Sequence, residues 1–189
     1  MMSEPVRTFI AVCIPSALRR DLEEFTNRLR RSRADVKWVR LENMHLTLKF
    51  LGNVAADRLQ PVFRAVERAV SGRRSFDIQF GGCGTFPGGG HPRVLWVGLR
   101  QGAESLRDLA AAVDESLAAE GFERERRPFS AHLTLGRVRS QQGIKACVEA
   151  MQTGIELEPF RVKEVTIFRS DLHPSGPKYT PLHSIQLEG

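Results

Sequence analysis

Cysteine, tyrosine, tryptophan and histidine are all scarce in this chain. Its 189 residues include three cysteines, one tyrosine, two tryptophans and five histidines. The cysteines, Cys13, Cys83 and Cys147, are odd in number, widely spaced and without a CxxC pair, a pattern that indicates neither a disulfide framework nor a zinc site. They read as buried small hydrophobes in a protein of the reducing cytoplasm. No apolar run is long enough to span a bilayer. The opening MMSEPVRTFIAVCIPSALRRDLEE meets Arg19 and Arg20 straight after a short apolar stretch, the wrong order for a secretory signal. The glycine-rich segment Gly81 to Gly90 precedes a strand and has no Lys-Ser/Thr after it. It reads as a flexible connection rather than a phosphate-cradling loop.

What is present is enough for one compact domain over residues 1–189, with 41% hydrophobic residues. A formal charge of +6 and a pI near 9.8 suit a polyanionic partner such as RNA. Taken singly, the clusters Arg28, Arg30, Arg31, Arg33 and Arg124, Arg126, Arg127 read as solvated faces.

Hydrophobic periodicity gives the order of elements. RTFIAVCIP from Arg7 predicts a buried strand, and Ser16 is placed to cap a helix carrying Leu18, Leu22, Phe25 and Leu29. VKWVRLENMHLTLKFLGNV then predicts a strand in which His45, Thr47 and Lys49 alternate with Leu46, Leu48 and Phe50. A helix over Asp57–Val70 and a strand from Phe76 complete a β-α-β-α-β half. The second half repeats the plan with a strand from Arg93, a helix from about Glu104 to Ala119, a strand around SAHLTLGRV, a helix near Gln142 to Met151, and a strand over Phe160 to Arg169. Arg7 and Arg93 are 86 residues apart, His45 and His132 are 87, and Phe76 and Phe160 are 84. Repeats at about 7–87 and 93–170 imply two lobes related by a pseudo-twofold axis. The expected fold class is therefore α+β and bilobal, with antiparallel-rich sheets around a central cleft. Turn residues Pro174 to Pro177 and a strand-like ending from Tyr179 predict a closing hairpin.

His45-Leu46-Thr47-Leu48 recurs as His132-Leu133-Thr134-Leu135. On a strand, positions i and i+2 share a face, so each motif aims an imidazole and a hydroxyl one way and two leucines into the core. Twofold symmetry would bring the two motifs together. One neutral imidazole and one imidazolium coexist near neutral pH and act as base and acid in one step, while the hydroxyls and Arg137 donate to phosphate oxygens. A lone H-x-T on a strand is ordinary, but two copies at the same place in two halves, from only five histidines, point to a site. Zinc would need a third ligand, and neither motif has an adjacent Asp, Glu or Cys, so no metal and no cofactor is expected. His91, His173 and His183 have no repeat partner and read as surface or turn residues. Trp38 and Trp96 sit in apolar strand patterns and read as core.

These motifs, with RTFIAVCIP, WVRLENMHLTLKFLGNV, GTFPGGGHPRVLWVGL, RPFSAHLTLGRV and VTIFRSDLHPSGPKYTPL, resemble the two-histidine phosphoesterase superfamily. The added segments are most similar to its RNA 2',3'-cyclic phosphodiesterase branch, historically called 2'-5' RNA ligase. The resemblance runs the length of the chain. It implies a V-shaped cleft and hydrolysis of a 2',3'-cyclic phosphate to a 2'-phosphomonoester. In that scheme His45 donates a proton to the leaving 3' oxygen and His132 activates water. The resemblance also makes Thr47, Thr134 and Arg137 phosphate-binding residues and Phe50 an aromatic against the terminal base. Leu41 and Ala131 stand where prolines are frequent, and Gly136 where alanine is frequent, which bears on local backbone shape. The expected partner is an RNA with a cyclic phosphate end, and the expected state is a monomer. Rival functions are 2'-5' ligation by the reverse chemistry, a small-nucleotide 2'-5' phosphodiesterase, and a non-catalytic RNA-binding module.

Overall fold

The computed structural model describes residues 4–174 and 176–189. Among the described residues, nine strands and four α-helices follow in order: β1 (Val6–Cys13), α1 (Arg19–Arg30), β2 (Val36–Trp38), β3 (His45–Val54), α2 (Leu59–Val70), β4 (Phe76–Phe86), β5 (Val94–Gln101), α3 (Ala103–Ala119), β6 (Leu133–Val138), α4 (Ile144–Met151), β7 (Phe160–Val162), β8 (Glu164–Asp171) and β9 (Lys178–Gln186). The expected elements are present, with several local corrections. Ser16 makes no capping bond, because a 3-10 turn over Ser16–Leu18 runs straight into α1. The single strand expected over Phe160 to Arg169 breaks at Lys163 into β7 and β8, which pair with different neighbours. The closing hairpin is present as β8 and β9, although Ser175 of its expected turn lies outside the described residues, as do Met1 to Ser3 of the opening segment.

The strands hydrogen-bond antiparallel in the order β7-β4-β5-β6-β3-β1-β8-β9, with β2 added alongside β6. The order is symmetric about the β6/β3 junction, the expected two-lobed plan, with one exchange of strands between the halves. On one side stand β3, β1 and β8; on the other stand β6, β5 and β4. Each half of the chain therefore gives its third main strand to the other side. The helices cross over in the same way, α2 packing with α3 and α1 with α4. Hydrophobic periodicity fixes an element and its apolar face but not which sheet that face joins.

Burial accounts for the pattern inside each strand. Phe9, Ile10, Ala11 and Val12 of β1 are all buried, as a central strand covered on both faces requires. Leu46, Leu48, Leu133 and Leu135 are buried, as the motif alternation predicts. The glycine segment is not a flexible connection throughout. Gly81 to Gly84 lie within β4, where a Cβ on Gly84 would come 2.3 Å from Cζ2 of Trp96, so the indole lies directly on that backbone. Of the cysteines, Cys147 is buried and Cys83 partly so, while Cys13 is exposed at the end of β1, past its doubly covered stretch.

Candidate active site

At the junction the two motif strands touch through one residue pair, Leu46 opposite Leu133, and then diverge. This single bridge sets His45 and Thr47 beside His132 and Thr134 at the floor of a cleft of about 440 Å³. His45 begins β3, and His132 immediately precedes β6. Phe50 and Arg137 line the same cleft, so all six residues expected at the site are brought together.

Simple alternation would not have placed Phe50 and Arg137 there. In a regular strand, residues i, i+2 and i+4 share a face, which would aim Lys49 and Gly136 at the cleft and turn Phe50 and Arg137 away. The register shows why this does not happen. Ala11 pairs with Thr47 and Ile10 with Lys49, leaving Leu48 as an extra residue; Trp96 pairs with Thr134 and Leu95 with Gly136, leaving Leu135 extra. A β-bulge at each second leucine flips the parity of the residues beyond it. Leu48 and Lys49 are consecutively buried and Phe50 is 60% exposed; Leu135 and Gly136 are buried and Arg137 is exposed. The two bulges are 87 residues apart, like the histidines, so the fifth residue after each histidine is re-aimed into the cleft by the same device.

The bulge turns Lys49 inward, where its ammonium donates to Asp114 Oδ1 on α3 and to the Glu123 carbonyl at 2.8 Å. Asp114 also accepts the Glu125 N–H at 3.0 Å. Burial works to raise the Asp114 pKa, but the Lys49 and Glu125 hydrogen bonds and the charges of Lys49 and Arg124 outweigh it and hold the carboxyl below its ordinary range.

Both histidines are held alike. The Nδ1–H of His45 donates to the Asn43 carbonyl at 2.7 Å, and that of His132 to the Ser130 carbonyl at 2.7 Å. A carbonyl only accepts, so each ring keeps its proton on Nδ1 and offers Nε2 to the cleft. Burial lowers the pKa of His45; the Asn43 carbonyl opposes the shift and His132 adds to it.

Aromatic rings fix both imidazoles. Phe9 lies 4.8 Å from the His45 ring, with Tyr179 edge-on at 5.3 Å. Phe86 stands edge-on to His132 at 5.0 Å, and Trp96 lies 6.4 Å from it. Trp96, read from sequence as core, therefore supports a motif histidine. Trp38 both packs on the core and lines the cleft. His91 and His173 are exposed in loops, as expected, and His183 on β9 bonds Glu67 at 2.7 Å.

Sequence reasoning missed Tyr179, Asn43, Arg7 and Lys37, all of which line the cleft. Asn43 has two roles: its carbonyl takes the His45 proton, and its side-chain amide donates to the Pro177 carbonyl at 2.8 Å, tying the β8–β9 connection to the cleft wall. Four cations line the cleft, namely Arg7, Lys37, Arg40 and Arg137, and among the described residues no Asp or Glu does. Such a lining focuses positive potential where an anion would sit.

The LigT like Phosphoesterase family model matches the chain twice, over residues 12–96 and 97–179. The chain is 35% identical to an RNA 2',3'-cyclic phosphodiesterase of Methanothermobacter thermautotrophicus, over 96% of this chain and 99% of that one. Among solved structures, a Thermus thermophilus protein superposes with a TM-score of 0.81 at 27% identity, covering 97% of this chain and 98% of that one. Escherichia coli LigT complexed with 3'-AMP superposes with a TM-score of 0.79 at 26% identity, covering 98% and 99%. With the family pattern matched once in each half, and each match carrying one H-x-T motif, the chain belongs to the LigT-like phosphoesterases.

Proposed function

We propose that the cleft hydrolyses 2',3'-cyclic phosphate ends of RNA to 2'-phosphomonoesters by acid-base catalysis between His45 and His132. The observation that carries this reading is the pair of matched Nδ1–H bonds to Asn43 and Ser130, which leave two imidazole Nε2 atoms on either side of one anion-attracting cleft. The name of the curated relative supports the substrate class.

In the forward step, His132 Nε2 removes a proton from water as the water oxygen bonds to phosphorus. The bond from phosphorus to the 3' oxygen breaks, and His45 Nε2–H protonates that oxygen, leaving the phosphate on the 2' oxygen. Each transfer contributes about 10² to 10⁴ in rate. Thr47 and Thr134 donate to the non-bridging oxygens, where charge accumulates, and Arg137 adds a charged fork. Phe50, exposed beside the cleft, offers a face to the terminal base. One chain carries both histidines, so a monomer suffices for the reaction. A reducing cytoplasm suits the free Cys13, Cys83 and Cys147, and burial pushes the Cys83 pKa up to about 11, far from a reactive thiolate.

The test is hydrolysis of an oligoribonucleotide with a 2',3'-cyclic phosphate end in EDTA, comparing the wild type with His45→Ala and His132→Ala. A 2'-phosphate product, reduced at least about 100-fold in each variant, is the expected result. A 3'-phosphate product, or activity lost in EDTA and restored by zinc, would overturn the mechanism.

A further inference from the structure

We propose that Lys37 forms a second anion subsite in the cleft, taking the phosphodiester one nucleotide upstream of the reacting cyclic phosphate. The inference rests on the RNA-end reading above and narrows it, making the preferred substrate an oligonucleotide rather than a mononucleotide.

Lys37 is the middle residue of β2, a three-residue strand that lies off the main path of the sheet and hydrogen-bonds to β6. Its side chain is exposed and lines the cleft. The register sets Lys37 directly opposite Arg137. Opposed residues on one face of an antiparallel pair have Cβ atoms about 5 Å apart, and like charges there repel. Among the described residues no carboxylate lines the cleft, and neither Lys37 nor Arg137 forms an ion pair. Two cations held face to face on a cleft wall are stabilised by an anion that both contact, and phosphate is the anion this chemistry already handles.

The position favours a phosphate other than the reacting one. The reacting phosphate lies between the two Nε2 atoms, against Thr47 and Thr134. Thr134 lies opposite Trp96 and Arg137 opposite Val94, so with the bulge between them Arg137 is about 7 Å along the strand, and Lys37 starts one strand spacing, about 4.8 Å, to the side. Arg137 has the reach to serve both groups, while Lys37 is left to the next one along the chain. The close approach of β2 that delivers Lys37 depends on Gly136. A Cβ there would lie 2.4 Å from Cγ1 of Val36 and 3.3 Å from the Lys37 carbonyl.

Three substrates decide the matter: adenosine 2',3'-cyclic phosphate, the dinucleotide ApA ending in a 2',3'-cyclic phosphate, and the same dinucleotide with an uncharged methylphosphonate linkage. The wild type is expected to favour the charged dinucleotide over both others. In Lys37→Ala, the ratio of kcat/KM for charged dinucleotide to mononucleotide is expected to fall about ten-fold, the size of one solvent-screened charge-assisted contact. The slope of log KM against log salt should flatten by about 0.7, the counterion release of one single-strand phosphate. Lys37→Arg should keep most of the preference. Turnover of all three substrates with an unchanged ratio in Lys37→Ala, or equal use of the charged and methylphosphonate dinucleotides by the wild type, overturns the subsite alone. A wild type that opens none of the three cyclic phosphates overturns the RNA-end reading and the subsite with it.

Discussion

Removing Asp114 while keeping Lys49 would leave a buried cation under the active strand. The Lys49 side chain is 4% exposed and that of Asp114 is 18% exposed. Truncating one partner of such a pair costs about 3–5 kcal/mol, because the remaining charge is desolvated without compensation. The Glu123 carbonyl stays bonded to the ammonium at 2.8 Å, so Asp114→Ala should fall at the lower end, about 3 kcal/mol. At roughly 2–4 °C per kcal/mol for a domain of this size, Tm should drop by about 6–12 °C. Lys49→Met should cost less, about 1–2 kcal/mol, since the Asp114 carboxylate keeps the Glu125 N–H and reaches water. The double variant Lys49→Met/Asp114→Leu removes both charges and should recover most of the loss. Thermal and urea unfolding followed by circular dichroism give the three values. A cost below about 1 kcal/mol for Asp114→Ala, or a double variant no more stable than it, would refute the reasoning.

The same pair predicts the sign of a pH effect. The folded pKa of Asp114 is depressed, so its contribution is fully present above the unfolded value of about 3.9 and is lost as pH falls through the folded value. The stability gap between wild type and Asp114→Ala should therefore be constant near neutrality and close below about pH 4.

Phe50→Ala should raise KM for cyclic-phosphate RNA about ten-fold with little change in Tm, because an aromatic that is 60% exposed contributes to base stacking and little to the core. A large fall in Tm without a change in KM would assign Phe50 to packing instead. Gly84→Ala should destabilise by about 1–3 kcal/mol and lower kcat, since the new methyl displaces the Trp96 indole that bears on His132. Steady-state kinetics beside a melting curve separate the two effects, and an unchanged kcat would remove Trp96 from the support of that ring.

The duplicated H-x-T-L, the four main helices and the apolar faces were legible because each is a local pattern with a fixed period. Phe50 enters through the resemblance alone, whereas Arg137 is already a phosphate donor in the motif reading, and strict alternation places Phe50 on the wrong face. The bulges at Leu48 and Leu135 explain the error: an inserted leucine in an apolar strand looks like any other leucine, so the parity change has no compositional signal. The buried Lys49 results from the same shift. The exchange of β4 and β8 between the two sides was hidden for another reason. Periodicity determines that a strand has a buried face, while the partner strand is chosen by long-range contacts that no window of sequence contains. Asn43 and Ser130 act through their carbonyls, which any residue would supply, and only the backbone path reveals them.

The lowered pKa of His45 makes a further prediction about which histidine gives the proton. Burial depresses its imidazolium form, so a His45 that serves as acid is a strong donor present in a minority of free enzyme molecules near neutrality. The bell of kcat/KM against pH cannot distinguish the assignments, because one protonated and one neutral imidazole give the same curve whichever carries the proton. Variants with a single histidine remove the ambiguity. In His132→Ala, the residual rate depends on His45 alone. If His45 is the acid, that rate should fall as pH rises through a value below the ordinary histidine pKa of about 6.5. In His45→Ala, the remaining base His132 should make the rate climb with pH. Bound phosphate, an anion beside both rings, should shift the His45 limb of kcat upward relative to that of kcat/KM. Rates that rise with pH in His132→Ala and fall in His45→Ala would exchange the two roles, and flat profiles in both would take the imidazoles out of the proton transfers altogether.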